Sequence, residues 1–286
     1  MFYRFGFLCA AACLCAAFLG CDSDDTDDGT GGSTSTSTST STGTGGGGVG
    51  GNVGGGAVGG GAPGCTEPVD VLCSDQVILQ MNLKDAPAPG LINNEQDGTG
   101  WISHVDATAG GFGSSDPHSY VYGKFADNGL EKVAISDEDS LDAMDWDIAF
   151  RRNVGRINSG NSGPSCVAAA VVPNVPAYDD FTVVPAGLTF NPDVYFTENC
   201  TMIEDGTGMP GSPDTLLSDY WSYTGCVAMT DAIFVLSLAD GRQVKLLVTN
   251  YYDYTNGAQE ECDTTGGVTV SPSGSAHIRI RWAFVQ

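Results

Sequence analysis

The chain has 286 residues, with 11 basic against 35 acidic side chains and a net charge of −24. So negative a surface repels nucleic acid and anionic lipid, whose protein partners use Lys and Arg to displace counterions. Nucleic acid is therefore excluded as a partner, and the length leaves room for one large domain.

The chain opens on an export signal. Met1-Phe2-Tyr3-Arg4 carries one positive charge, and residues 5–18 form an uncharged apolar run. That run is shorter than the roughly 20 apolar residues a spanning helix needs, so residues 1–20 read as a signal peptide. Phe18-Leu19-Gly20-Cys21 resembles the lipobox of bacterial lipoproteins. Cys21 is the lipidation candidate, and the lipid is the expected membrane contact. Residues 21–64 continue with an acid run, a Ser/Thr tract and a Gly-rich tract. They offer almost nothing apolar to offset ordering entropy and read as a disordered linker. Its root-mean-square reach is roughly 35 Å. The acid run at 22–28 lacks the flanking helices and distal Glu of an EF-hand, so it does not read as a calcium loop.

Residues 65–286 are the predicted folded domain. They hold six cysteines, Cys65, Cys73, Cys166, Cys200, Cys226 and Cys262. An even six in an oxidising compartment predicts three disulfides. Cys65–Cys73 is the expected local pair, and Cys200–Cys226 the expected closure of a variable-looking stretch. No pair has the spacing of a zinc knuckle and no histidine adjoins one, so no metal site is expected there.

Strand signals follow in chain order. Val77-Ile78-Leu79 begins a short apolar run. Residues 119–125 and 147–151 alternate polar with apolar or aromatic side chains. Residues 167–172 are continuously apolar, as in a strand buried on both faces. Phe181-Thr182-Val183-Val184 is a further candidate. Residues 233–236 and 244–248 flank Ala239-Asp240-Gly241, a hairpin signal because Gly tolerates a positive φ. The last strand, 277–284, sets Ile278, Ile280, Trp282 and Phe284 on one face. Helix is scarce: Ser136-Asp137-Glu138-Asp139 reads as an N-cap with acidic first-turn residues, leading into one or two turns. The fold class is all-β, a single large antiparallel domain with at most short helical turns.

Several of these segments together resemble one family. Trp146-Asp147-Ile148-Ala149-Phe150-Arg151-Arg152 precedes Arg156-Ile157-Asn158-Ser159-Gly160 and then Val167-Ala168-Ala169-Ala170. Ala239-Asp240-Gly241-Arg242 and Asn250-Tyr251-Tyr252-Asp253 come later, before a final aromatic strand. This order resembles the HmuY-like proteins, secreted or surface lipoproteins that capture haem. The matching residues are scaffold: Trp146, Ile148 and Phe150 are read as one core face. The resemblance implies two axial haem ligands from loops between the middle strands and the Asp-Gly hairpin, about residues 197–229 here. That stretch has no histidine but carries Met202, Met209 and Met229. A thioether is a competent ligand for haem iron, although Met also commonly fills packing gaps. Met209, flanked by Gly and Pro, is the best candidate; Met229 adjoins a strand and is the better core residue.

Other constellations point away from catalysis. His104, His118 and His277 share no ligand spacing. Gly160-Asn161-Ser162-Gly163 lacks the base and orienting acid that a serine nucleophile needs. Tyr220, Trp221, Tyr223, Tyr251, Tyr252 and Tyr254 suit either a stacking groove or a core face. The expected protein is a non-enzymatic lipoprotein of the bacterial envelope, at the outer membrane or cell surface, binding haem or a related planar ligand. The alternative is the same scaffold repurposed as a protein- or glycan-interaction module.

Overall fold

The computed structural model describes residues 64–109, 118–173, 177–207, 209 and 211–285. The expectations for the signal, Cys21 and the linker up to residue 63 lie outside the described residues. The elements run α1 (Ser74–Gln80), β1 (Ile92–Asp97), β2 (Gly100–Asp106), β3 (Val121–Ala126), β4 (Gly129–Val133), β5 (Ile148–Arg151), β6 (Val154–Ile157) and β7 (Ala168–Val171). They continue with β8 (Trp221–Tyr223), β9 (Val227–Met229), β10 (Ile233–Ser237), β11 (Gln243–Asn250), α2 (Ala258–Thr265) and β12 (His277–Val285). The six-stranded sheet has the order β1-β2-β12-β11-β10-β7, the four-stranded sheet β4-β3-β5-β6, and β8 pairs with β9. All these strand pairs are antiparallel. The all-β class with only short helices holds. No described helix is long and apolar enough to cross a membrane.

Two-residue periodicity explains the core. Ile278, Ile280 and Trp282 of β12 are buried with Val244, Leu246 and Val248 of β11. The same cluster takes Phe125, Ile148 and Phe150 from the four-stranded sheet, so the two sheets share a core. Phe125 meets Trp282 edge-on, with ring centroids 4.8 Å apart. The opposite face of the four-stranded sheet buries Tyr122 and Ala149 in a second cluster with Trp146, Val77 and Phe196. The Asp-Gly hairpin forms as expected. Gly241 has φ +86°, and the Leu238 N–H donates to the Arg242 carbonyl at 2.9 Å.

Four local expectations are corrected. Val77-Ile78-Leu79 lies in α1, not in a strand, because Val77 and Met81, four apart, both face the core while Leu79 faces solvent. A three-residue apolar run fits either period. The 167–172 run gives β7, an edge strand; Val167, Ala169, Ala170 and Val172 are buried as expected, but Val171 is exposed. β10 is buried on both faces along its whole length. Residues 181–184 form no strand; Lys245 Nζ takes the Tyr178 and Phe181 carbonyls at 3.0 and 2.7 Å. Trp146 shares no face with Ile148 and Phe150, because β5 begins only at Ile148 and the alternation does not extend back. The capping signal holds: Ser136 Oγ accepts the Asp139 N–H at 3.0 Å, ahead of a single 3-10 turn, Asp139–Leu141.

The disulfides also differ from expectation. All six cysteines pair, as Cys65–Cys166, Cys73–Cys200 and Cys226–Cys262. Cys65 and Cys73 do not pair because the chain between them runs along the 159–165 loop, where the Val69 N–H donates to the Pro164 carbonyl at 2.8 Å. Each cysteine thus meets a partner from a different distant segment.

Two outcomes follow from this packing. The Cys73–Cys200 bridge closes a separation of 127 residues. Replacing both by Ser should lower stability by roughly 2–5 kcal/mol, read as an earlier urea midpoint; an unchanged midpoint contradicts this. Burial pushes the Asp147 carboxyl up to about 6, against the opposing Phe125 N–H. Its contribution to stability therefore grows as pH falls through about 6 and is lost as pH rises. Relative to Asp147→Asn, the natural chain should gain on the order of 1–3 kcal/mol between pH 7 and pH 4. Parallel pH profiles for the two would refute it.

Candidate functional site

The predicted haem-ligand stretch follows Phe196 and ends in β9. Met202 bridges to Phe196 and packs, half-buried, against the Trp146 cluster. Met209 and Met229 are half-buried against the larger core shared by the two sheets. Met209 lies between Gly206 and Gly211, whose φ values are +70° and +76°. Such residues let the chain reverse tightly on either side of the thioether. Met229 closes β9 opposite Trp221, and its N–H donates to Asp263 Oδ1 at 2.8 Å. The three thioethers are thus divided between two core clusters.

The aromatic residues divide similarly. Tyr220, Trp221, Tyr251 and Tyr252 are core, whereas Tyr223 and Tyr254 are exposed. Ring stacking by the first four is spent on the interior.

A large cleft meets the methionine stretch only at its first residues, 197–200. It has a volume of about 720 Å³ and lies between residues 69–73, the 159–168 segment and residues 192–200. None of the three methionines lines it. Its walls are fixed by hydrogen bonds and two staples. Asn161 Nδ2 donates to the Leu72 carbonyl at 2.9 Å, and Asn161 Oδ1 accepts the Tyr195 and Phe196 N–H groups at 3.0 Å. Gly160 has φ +59°, and a Cβ there would stand 2.4 Å from the Asp193 carbonyl oxygen. Only glycine lets the loop approach so closely.

Beneath this loop lies a buried polar network. Arg156 donates through Nε to Ser162 Oγ at 3.1 Å, through Nη2 to the Ser162 carbonyl at 2.8 Å and through Nη1 to the Tyr122 hydroxyl at 3.3 Å. The Ser162 hydroxyl donates to Asp193 Oδ2 at 2.6 Å. Burial pushes Asp193 up to about 6, against its hydrogen bonds and Arg156. Asp193 Oδ1 accepts the Leu216 N–H at 2.9 Å. Ser162 is fully buried, so it is a structural hydroxyl. Its surroundings had been visible in sequence only as a failed nucleophile loop.

The histidines gain a neighbourhood that spacing could not show. Pairing of β2 with β12 sets His277 opposite Asp106 and Arg279 opposite His104. His104 and His277 border a shallow cleft of about 310 Å³ with Glu95, Asp253 and Tyr254. The His104 ring lies 4.5 Å from that of Tyr254, and its Nε2 is 3.4 Å from Glu95 Oε1. Burial holds His104 below its ordinary pKa, opposed by Glu95 and aided by Arg279. His118 forms an isolated bridge with Ala86. Among the described residues, no three His, Cys, Asp or Glu side chains are placed to hold a metal ion.

No curated protein matches the chain. Among solved structures, it is similar to a protein of Bacteroides vulgatus ATCC 8482 designated HmuY-like heme binding. The identity is 14%, covering 67% of this chain and 95% of that one, at a TM-score of 0.40. A protein of Bacteroides fragilis NCTC 9343 designated a lipoprotein is 12% identical, with coverages of 66% and 90% and a TM-score of 0.39. The apo HmuY analog of Tannerella forsythia is 13% identical, with coverages of 70% and 98% and a TM-score of 0.33. The HmuY protein family matches residues 116–265, more than half of the chain and including the whole methionine stretch. The chain belongs to the HmuY family.

Proposed function

We propose that this protein is a lipid-anchored envelope protein that captures haem, or a related planar apolar ligand, without catalysing a reaction. The observation that carries this reading is the family match, which spans the stretch holding Met202, Met209 and Met229. In this reading residues 1–20 are removed, Cys21 carries lipid, residues 21–64 are the tether and residues 65–286 hold the ligand. The chain, with 35 acidic residues against 11 basic ones, repels nucleic acid.

Met209 is the first axial ligand in this scheme, supported by its half-burial between two glycines of positive φ. Met229, against the same core cluster, is the second ligand to test. Met202 packs against the other cluster and serves the interior. A second reading, an interaction module that has given up haem, is favoured by one observation: the large cleft contains neither Met nor His.

Haemin titration followed in the Soret region separates the two. Haem capture predicts a shifted band that saturates at one equivalent. Met209→Ala should weaken binding at least about tenfold, equivalent to about 1.4 kcal/mol. A spectrum identical to free haemin throughout the titration removes the haem reading and leaves the interaction module.

A further inference from the structure

The large cleft has an assignable chemistry of its own. Val69, Leu72 and Val194 on its walls are 60%, 71% and 53% exposed, and Phe196 lies beside them. Folded chains rarely leave apolar side chains together at a cleft without a use for them. The volume of about 720 Å³ is within the range of roughly 300–1,000 Å³ typical of small-molecule sites. The walls are preformed, since Cys73–Cys200 and Cys65–Cys166 clamp them and Asn161 ties all three segments together. A ligand therefore loses little affinity to ordering the site.

Charge sets the ligand class. The ionisable side chains of the lining are Asp70 and Glu198; no Lys, Arg or His is among them. Asp70 also borders an adjoining cleft with Glu138, Asp139 and Asp142, again with no basic residue in the lining. An anionic ligand would meet carboxylates and no counter-charge. Haem, with its two propionates, is such a ligand, and no thioether is present to hold its iron. We propose that this cleft binds a small cationic amphiphile, its apolar body against Val69, Leu72, Val194 and Phe196 and its amine or ammonium head toward Asp70 and Glu198. This site contains none of the three methionines, although it shares residues 197–200 with the start of that stretch, and it does not rest on the haem reading.

Calorimetric titration of the intact chain with decyltrimethylammonium, decyl sulfate and decanol, all below micellar concentration, tests the assignment. The ammonium should fill one saturable site, and the sulfate should bind at least tenfold more weakly. Leu72→Lys, at an exposed position, should abolish ammonium binding while leaving the haemin spectrum as it is in the natural chain. Glu198→Lys should reverse the preference between ammonium and sulfate. Glu131→Lys, on β4 and outside the lining, changes net charge equally and should change nothing. The assignment is overturned if ammonium binding does not saturate, survives Leu72→Lys or is matched by decyl sulfate. It is equally overturned if the natural chain dimerises and Leu72→Lys is monomeric, which would give the cleft to a second copy.

Discussion

A guanidinium with no exposed surface anchors the end of this domain where the large cleft opens. Arg156 leaves β6 and enters a pocket of oxygen acceptors from Ser162 and Tyr122. Desolvating such a charge costs several kcal/mol unless its donors are satisfied and a counter-charge is near. Asp193 supplies that charge through Ser162, and the Tyr120 ring lies 5.0 Å from the guanidinium carbon. Satisfying Arg156 therefore fixes the 159–165 loop and the Asp193–Tyr195 segment together. The Leu216 N–H, bound to the other oxygen of Asp193, ties the far side of the methionine stretch to the same point.

The cleft and the methionine stretch are thus two products of one constraint. The loop that covers Arg156 carries Asn161 on its outer side, and Asn161 holds the N-terminal segment by the Leu72 carbonyl. Disulfides then bind that segment to both other walls. Beyond the cleft, the Ile203 N–H donates to the Tyr195 carbonyl, and the Asp205 N–H to the Ser212 carbonyl. Rigid walls favour selection by shape and charge.

Much of the scaffold was legible locally. The alternation of β12, the Asp240-Gly241 turn and the β3 and β5 patterns each depend on neighbours a few residues away. Steric preference and side-chain period act at that range. The failures share another cause. Val77-Ile78-Leu79 was too short to show its period, and 167–172 could not reveal that β7 is the last strand of its sheet, with Val171 exposed. At 181–184 a lysine from β11 takes the Phe181 carbonyl, which a strand would have used, together with that of Tyr178 just before it. The methionines were found as a group, but their division between two core clusters was not visible.

By itself the sequence determined an acidic, exported-looking chain with an antiparallel β body, six cysteines for cross-linking and a family likeness. These follow from composition, from residue period and from motifs read in order, none of which needs coordinates. Tertiary structure alone decided which cysteines meet, where the apolar cleft opens and that two histidines 173 positions apart border one cleft. The physical reason is range: these contacts join segments far apart in the chain, 127 residues in the case of Cys73 and Cys200. Such partners are chosen by how whole sheets pack, a property that no local stretch of chain contains.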